Sequence, residues 1–310
     1  MKVKLLYTTG DNNLIEEIWD KPEPAKDEIE VKTALTGICS SDVAMYKGEF
    51  TILPKDIQGH ESLGIVSKVG SIVEANIGLK EGDIVATRGE PGFADYYNAK
   101  QGTFVKVPKV DKKYILEPVA CGINVANAVY NHSEDKEQSI AIIGTGFLAR
   151  VTHYTLKRAG YKNFTVYGSA YPEYWDNQEV TQIKHSGFHL QMPTNRTTTG
   201  YDAFIDFSSK PQYITSNYVN DNGIFVLAAE KKVDNLDFSK YLWGNITIKC
   251  PSPRDKSFID SMRYARECIR SNSLKVSDMW EMGYDRDDAK KAFENKVNGI
   301  DKGRTYLKWN

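Results

Sequence analysis

Short runs of alternating or blocked apolar residues fill the first part of the chain. EIEVKTALTGI (28–38), LGIVSKVGSIV (63–73), GDIVATRG (82–89) and GTFVKVP (102–108) are each bounded by Gly, Pro or Asp. Period-two alternation of this kind predicts strands, and their spacing suggests a barrel-like or partly open β domain up to about residue 120. From there the pattern changes. CGINVANAVYN (121–131) predicts a helix, SIAIIG (139–144) a buried strand, and FLARVTHYTLKRAG (147–160) a helix that stops at Gly160. NFTVYG (163–168), DAFIDFS (202–208) and GIFVLAA (223–229) predict further strands, separated by longer, partly helical stretches. Alternating strand and helix is the sign of a parallel α/β sheet. A helix is expected over 257–272, followed by a polar tail ending in GRTYLKWN; no internal repeat or low-complexity segment is visible.

Composition narrows the class of function. The 310 residues carry 40 basic and 41 acidic side chains, a net charge of -1. With no excess of positive charge, neither nucleic acid nor an anionic membrane is expected as the main partner. The longest apolar stretch, SIAIIGTGFLA (139–149), contains two glycines and falls short of the roughly 20 residues a bilayer span needs. The start, MKVKLLYTTGDNN, lacks the apolar core of at least about seven residues expected of a signal peptide. A soluble, cytoplasmic protein is the expectation. Cys39, Cys121, Cys250 and Cys268 are far apart and form no Cys-x-x-Cys pair, so each is a free thiol or a metal ligand.

Two segments carry candidate chemistry. In GHESLG (59–64) a histidine and a glutamate stand side by side at the mouth of an apolar strand, where alternation would send them to opposite faces. Further on, Gly144, Gly146 and Ala149 form a G-x-G-x-x-A turn between strand and helix, with Phe147 and Leu148 inside it. The first glycine permits the tight turn, the second lets a pyrophosphate approach the backbone, and the small third residue lets helix and strand pack closely. An NAD site would add an acidic residue about twenty positions on. No Asp or Glu lies between Gln138 and Pro172, and the second strand ends in Tyr167-Gly168-Ser169. The missing carboxylate favours NADP over NAD, although the usual phosphate-binding Arg after Ser169 is absent too.

GICSSDVAMYKGEF (37–50), GHESLGIVSKVG (59–70), GDIVA (82–86), FADYYNA (93–99), LEPVACG (116–122) and the glycine loop follow one another in an order that resembles the zinc-dependent medium-chain dehydrogenases, in the branch of sorbitol, threonine and glucose dehydrogenases. The resemblance runs nearly end to end. It implies a GroES-like β-rich catalytic domain over 1–120, a Rossmann doubly wound parallel-sheet domain over 121–250, and a segment over 251–310 returning to the catalytic domain. It further implies one catalytic zinc on Cys39, His60 and Glu117, with Cys121 an alternative third ligand and Glu61 an occasional or outer one. One thiolate, one imidazole and one carboxylate would leave a tetrahedral zinc with an open position. By the same resemblance Asp42 fixes the His60 tautomer, Ser41 relays the alcohol proton, and Arg304 of GRTYLKW reaches the cofactor pyrophosphate. The position three residues after Ser41, often a histidine in relatives, is Ala44, which leaves water, the ribose or Tyr46 to continue the proton path. Only TRGEPG (87–92) stands where relatives insert a four-cysteine lobe, so no structural zinc is expected. The implied activity is hydride transfer between an alcohol, polyol or sugar, or its carbonyl, and NAD(P). A zinc-free quinone or enone reductase and a nucleotide-binding protein that has lost catalysis are the alternatives. A homodimer or homotetramer is expected, with GNITIK (244–249) pairing across a two-fold axis.

Overall fold

The computed structural model describes residues 1–183, 200–208, 210, 218–230 and 238–309. The chain folds as two compact units, Met1–Ala120 with Lys256–Asn310, and Cys121–Asp255. Among the described residues no helix is long and apolar enough to cross a membrane.

The first unit opens with a hairpin, β1 (Lys2–Gly10) and β2 (Asn13–Asp20), which the apolar pattern did not suggest. Asp11 and Asn12 turn it with φ of 53° and 57°, a two-residue left-handed turn that Asp and Asn tolerate. There follow β3 (Glu28–Ile38), α1 (Ser40–Tyr46), β4 (Ser62–Val69), α2 (Ser71–Ile77), β5 (Ile84–Thr87), β6 (Tyr96–Lys100), β7 (Phe104–Val107) and the start of α3 (Glu117–His132). The expected strand over 63–73 is thus two elements. Gly70 caps a short helix that buries Val73 and ends at Gly78, φ 66°; an apolar SIV triplet fits one helical turn as well as a strand. Ile29, Val31, Val66, Val85 and Tyr97 alternate into one core of this unit.

The second unit contains the rest of α3, then β8 (Ser139–Ile143), α4 (Phe147–Arg158), β9 (Asn163–Tyr167), α5 (Pro172–Trp175), β10 (Thr181–Ile183), β11 (Tyr201–Asp206), β12 (Val219–Leu227), α6 (Ser239–Trp243) and β13 (Thr247–Lys249). Its strands pair in parallel in the order β10-β9-β8-β11-β12-β13. Chain order reverses between β8 and β11, the switch point of a doubly wound sheet. Both faces are covered. Ile140, Ile142 and Val166 pack with Val129 and Leu156 of α3 and α4, while Ala141, Ile143 and Phe225 pack with Tyr241 of α6. Two-sided burial explains why these strands read as unbroken apolar runs.

The chain then returns to the first unit as α7 (Phe258–Arg270), β14 (Trp280–Asp285), α8 (Ala289–Val297) and β15 (Arg304–Lys308). The sheet order there is β14-β15-β3-β4-β5-β7, with β6 also on β3. This places the last strand of the chain beside the third.

Candidate functional site

Strand register assembles the site. Thr36 of β3 faces Ser62 of β4 in an antiparallel pair, and the Gly37 amide donates to the Glu61 carbonyl at 2.8 Å. Cys39 just past the end of β3 therefore comes beside His60 and Glu61, just before the start of β4. On the other side Thr305 of β15 faces Ile38, which brings Arg304 level with the same end of β3. Cys39, His60 and Glu61 each offer a ligand atom within 4.8 Å of the other two. His60 and Glu61 precede the strand rather than belong to it, so alternation does not separate them, and the pair serves one cluster.

The helix α1 fixes the sulfur. Cys39 is its N-cap, the Asp42 amide donates to the Cys39 side chain, and the Cys39 amide donates to Asp42 Oδ2 at 2.8 Å. Asp42 Oδ1, buried and without a hydrogen-bond partner among the described residues, stands 3.9 Å from His60 Nδ1, a charge contact too long for the hydrogen bond expected there. Glu61 is fully buried; its Oε1 accepts from Arg304 Nη2 at 2.8 Å and its Oε2 has no hydrogen-bond partner among the described residues. Burial works against the charged imidazole of His60, yet Asp42, Cys39 and Glu117 together hold its pKa well above the ordinary histidine range. Burial raises the Asp42 carboxyl in turn, against the pull of His60. Beside this imidazole two buried carboxylate oxygens, Asp42 Oδ1 and Glu61 Oε2, have no hydrogen-bond partner among the described residues. Sulfur, nitrogen and oxygen donors of this kind suit a divalent cation such as zinc, so the residues fit the group the resemblance implies.

The remaining candidates fall as follows. Glu117, buried at the start of α3, lies outside the group of converging ligand atoms, although its charge is felt at His60 and Asp42. Cys121 is one turn further along that helix and belongs to the second unit. Ser41 is half-buried on the first turn of α1. Tyr46 is buried, its ring 5.1 Å from Phe293 in a cluster with Phe93.

In the second unit Gly144 turns the chain with φ 98°, and a side chain at Gly146, at the head of α4, would meet nothing within 4 Å among the described residues. Phe147 is buried on that first turn and Leu148 half-buried. Thr145, between the glycines, was overlooked in the sequence. Its hydroxyl accepts from the Ala170 amide at 2.8 Å and its carbonyl from Trp175 Nε1 at 3.1 Å, tying the loop to the segment after Gly168 and the exposed Ser169. Arg150 was overlooked too: its guanidinium lies 5.1 Å from the Tyr171 ring and 4.6 Å from that of Tyr174. An arginine directly after G-x-G-x-x-A, where α4 packs on its sheet, was the available signal.

Residues 25–116 match the model for the alcohol dehydrogenase GroES-like domain. The chain carries that domain. Its GroES-like part therefore supplies Cys39, His60 and Glu61. The protein named "Probable D-xylulose reductase A" of Neosartorya fischeri is 38% identical over 121 residues, 33% of this chain and 33% of its own length. Sorbitol dehydrogenase of Macaca fascicularis is 38% identical over 91 residues, 28% of this chain and 24% of its own. The matched stretch thus spans a third or less of these curated relatives. An Escherichia coli oxidoreductase/dehydrogenase of unknown specificity shares the fold of the GroES-like domain and the parallel sheet, with TM-score 0.79 over 99% of both chains at 21% identity.

Proposed function

We propose that this protein is a zinc-dependent oxidoreductase that moves a hydride between a polyol or sugar-like secondary alcohol, or the corresponding ketone, and a nicotinamide dinucleotide. The convergence of Cys39, His60 and Glu61 inside the GroES-like domain carries the reading. Cys39 and His60 would hold the metal with Glu117, the third ligand the resemblance implies although it stands outside the converging group in this structure, and Glu61 would be an exchangeable fourth ligand. A zinc ion there supplies Lewis acidity toward an alcohol or carbonyl oxygen. Asp42 orients Cys39 through its two backbone contacts and puts negative charge beside His60. The half-exposed Ser41 hydroxyl takes the substrate proton and passes it to water, since Ala44 has no titratable group. Gly144, Gly146, Phe147 and Leu148 receive the pyrophosphate at the head of α4. Gly168 and Ser169 would face the ribose, and NADP is favoured because no acidic residue follows β9 before Pro172 and Arg150 lies against Tyr171 just beyond. Arg304, which the resemblance directs to the pyrophosphate, bonds Glu61 in this structure.

A homodimer or homotetramer belongs to the same proposal. Among the described residues β13 pairs with β12 alone, and Leu242 and Trp243 of the adjoining α6 are 74% and 84% exposed.

The test is elemental analysis of the purified protein with a screen of polyols, sugars and ketoses against NADP and NAD. About one zinc per chain and turnover of a polyol are expected, and H60A loses both. Zinc without turnover in either cofactor would point to a nucleotide-binding protein that has lost catalysis, and turnover without any metal to a zinc-free reductase.

A further inference from the structure

The row of strand ends that builds the centre extends one strand further than the ligands. Trp280, the first residue of β14, stands opposite Arg304 of β15. It is 1% exposed, its carbonyl accepts from Lys112 Nζ at 2.8 Å, and its ring meets Tyr306 edge-on at 6.0 Å. The Arg304 guanidinium carbon lies 5.5 Å from the Trp280 ring centroid, while Nη2 donates to Glu61 Oε1 at 2.8 Å. From the other side Gly37 closes the gap. A Cβ there would crowd Glu61 Oε2 and fall 3.1 Å from Trp280 Cη2, so a side chain at this position would have to displace the glutamate. Glu61 is thereby divided: one oxygen is bonded to Arg304, and the other is buried without a hydrogen-bond donor among the described residues, beside Gly37.

An aromatic face holds a planar guanidinium in one orientation, which an isolated long side chain does not keep. A cation bonded to a carboxylate also weakens that carboxylate as a metal donor and opposes a nearby dication. We propose that Trp280 is a positioning residue for the metal centre: with its ring beside the Arg304 guanidinium, it keeps Glu61 Oε1 engaged and so restrains Glu61 from becoming a permanent ligand in place of substrate. This rests on the reading of Cys39, His60 and Glu117 as zinc ligands.

The experiment uses the full chain and two readouts other than turnover: zinc affinity by competition with a chromophoric chelator, and the visible absorption bands of the cobalt-substituted protein. R304Q is expected to tighten zinc binding on the order of tenfold, the scale on which outer contacts tune a metal site, with a changed cobalt spectrum. W280L moves both in the same direction. W280F, which keeps a ring face, stays with the wild type, and E61Q abolishes the effect of W280L. Should W280L fail to fold, R304K makes the same test with the tryptophan intact, because it keeps the charge without the flat face. Its expected shift is toward R304Q. A folded W280L with wild-type affinity and spectrum, or a W280L effect that persists beside E61Q, overturns the proposal. Unchanged zinc binding in C39S would instead overturn the reading of the centre itself.

Discussion

Ser169 stands exposed just beyond β9, where NAD-binding sheets carry a carboxylate. One substitution there tests the cofactor preference directly. S169D puts a negative charge where a ribose phosphate would lie, and the ratio of kcat/KM for NADP over NAD is expected to fall by about tenfold or more, on the order of 1.4 kcal/mol. A ratio that does not move would mean that the ribose lies elsewhere. The same scale shows what a residue pattern conceals. Glycine, serine and the absence of acid after β9 can be read in sequence, because they follow the loop by a fixed interval. Thr145 and Arg150 could be seen but not understood, because their partners, Ala170, Trp175, Tyr171 and Tyr174, are brought near only by the sheet.

Among the elements, α4 does more than open the nucleotide loop. It carries His153 into the core, where the ring lies 4.8 Å from Phe164 and 5.2 Å from Trp175, and Nδ1 bonds the Tyr174 hydroxyl at 2.9 Å. Burial, aided by Lys157, lowers its pKa from 6.5 to about 4. The sign follows from proton counting. Between these values the unfolded chain takes up a proton that the native ring refuses, so stability is full above about 6.5 and declines as pH falls toward 4. The loss by pH 4 is about 3 kcal/mol at 1.36 kcal/mol per unit. H153F should flatten that slope, as read from urea midpoints at pH 7 and 4.5 by fluorescence of the neighbouring Trp175. An unchanged slope would assign the acid sensitivity to other groups. Helical spacing in 147–160 was legible, as was the stop at Gly160, φ 98°. The hairpin of β1 and β2 and the helix α2 were not. No residue of the hairpin's second strand is buried, and α2 is too short for its period to show.

At the scale of the molecule, the candidate ligands Cys39, His60 and Glu61 lie in the first unit, which is built from both ends of the chain. Zinc bound there should stabilise that unit by mass action, about 2.7 kcal/mol at a hundredfold excess over the dissociation constant. Chelation is therefore expected to accelerate amide exchange around residues 36–39, 60–64 and 304–307, while 139–143 and 203–206 in the parallel sheet keep their protection. Uniform loss across both units, or none in either, would contradict a metal confined to this centre.

The sequence by itself determined the elements whose signals are local. These are the period-two strands, the helix after the glycine loop and the unbroken runs of a sheet buried on both faces, whereas Cys39 and His60 are ligand candidates only through a resemblance in the order of motifs. It could not determine the company those residues keep. Sheet register set Gly37 opposite Glu61, Ile38 opposite Thr305 and Trp280 opposite Arg304, pairings that join distant parts of the chain. Register is chosen by the whole sheet's burial rather than by any one segment. That is why Glu61, adjacent to His60 in sequence, came inside the converging group, while Glu117 contributes its charge from outside it.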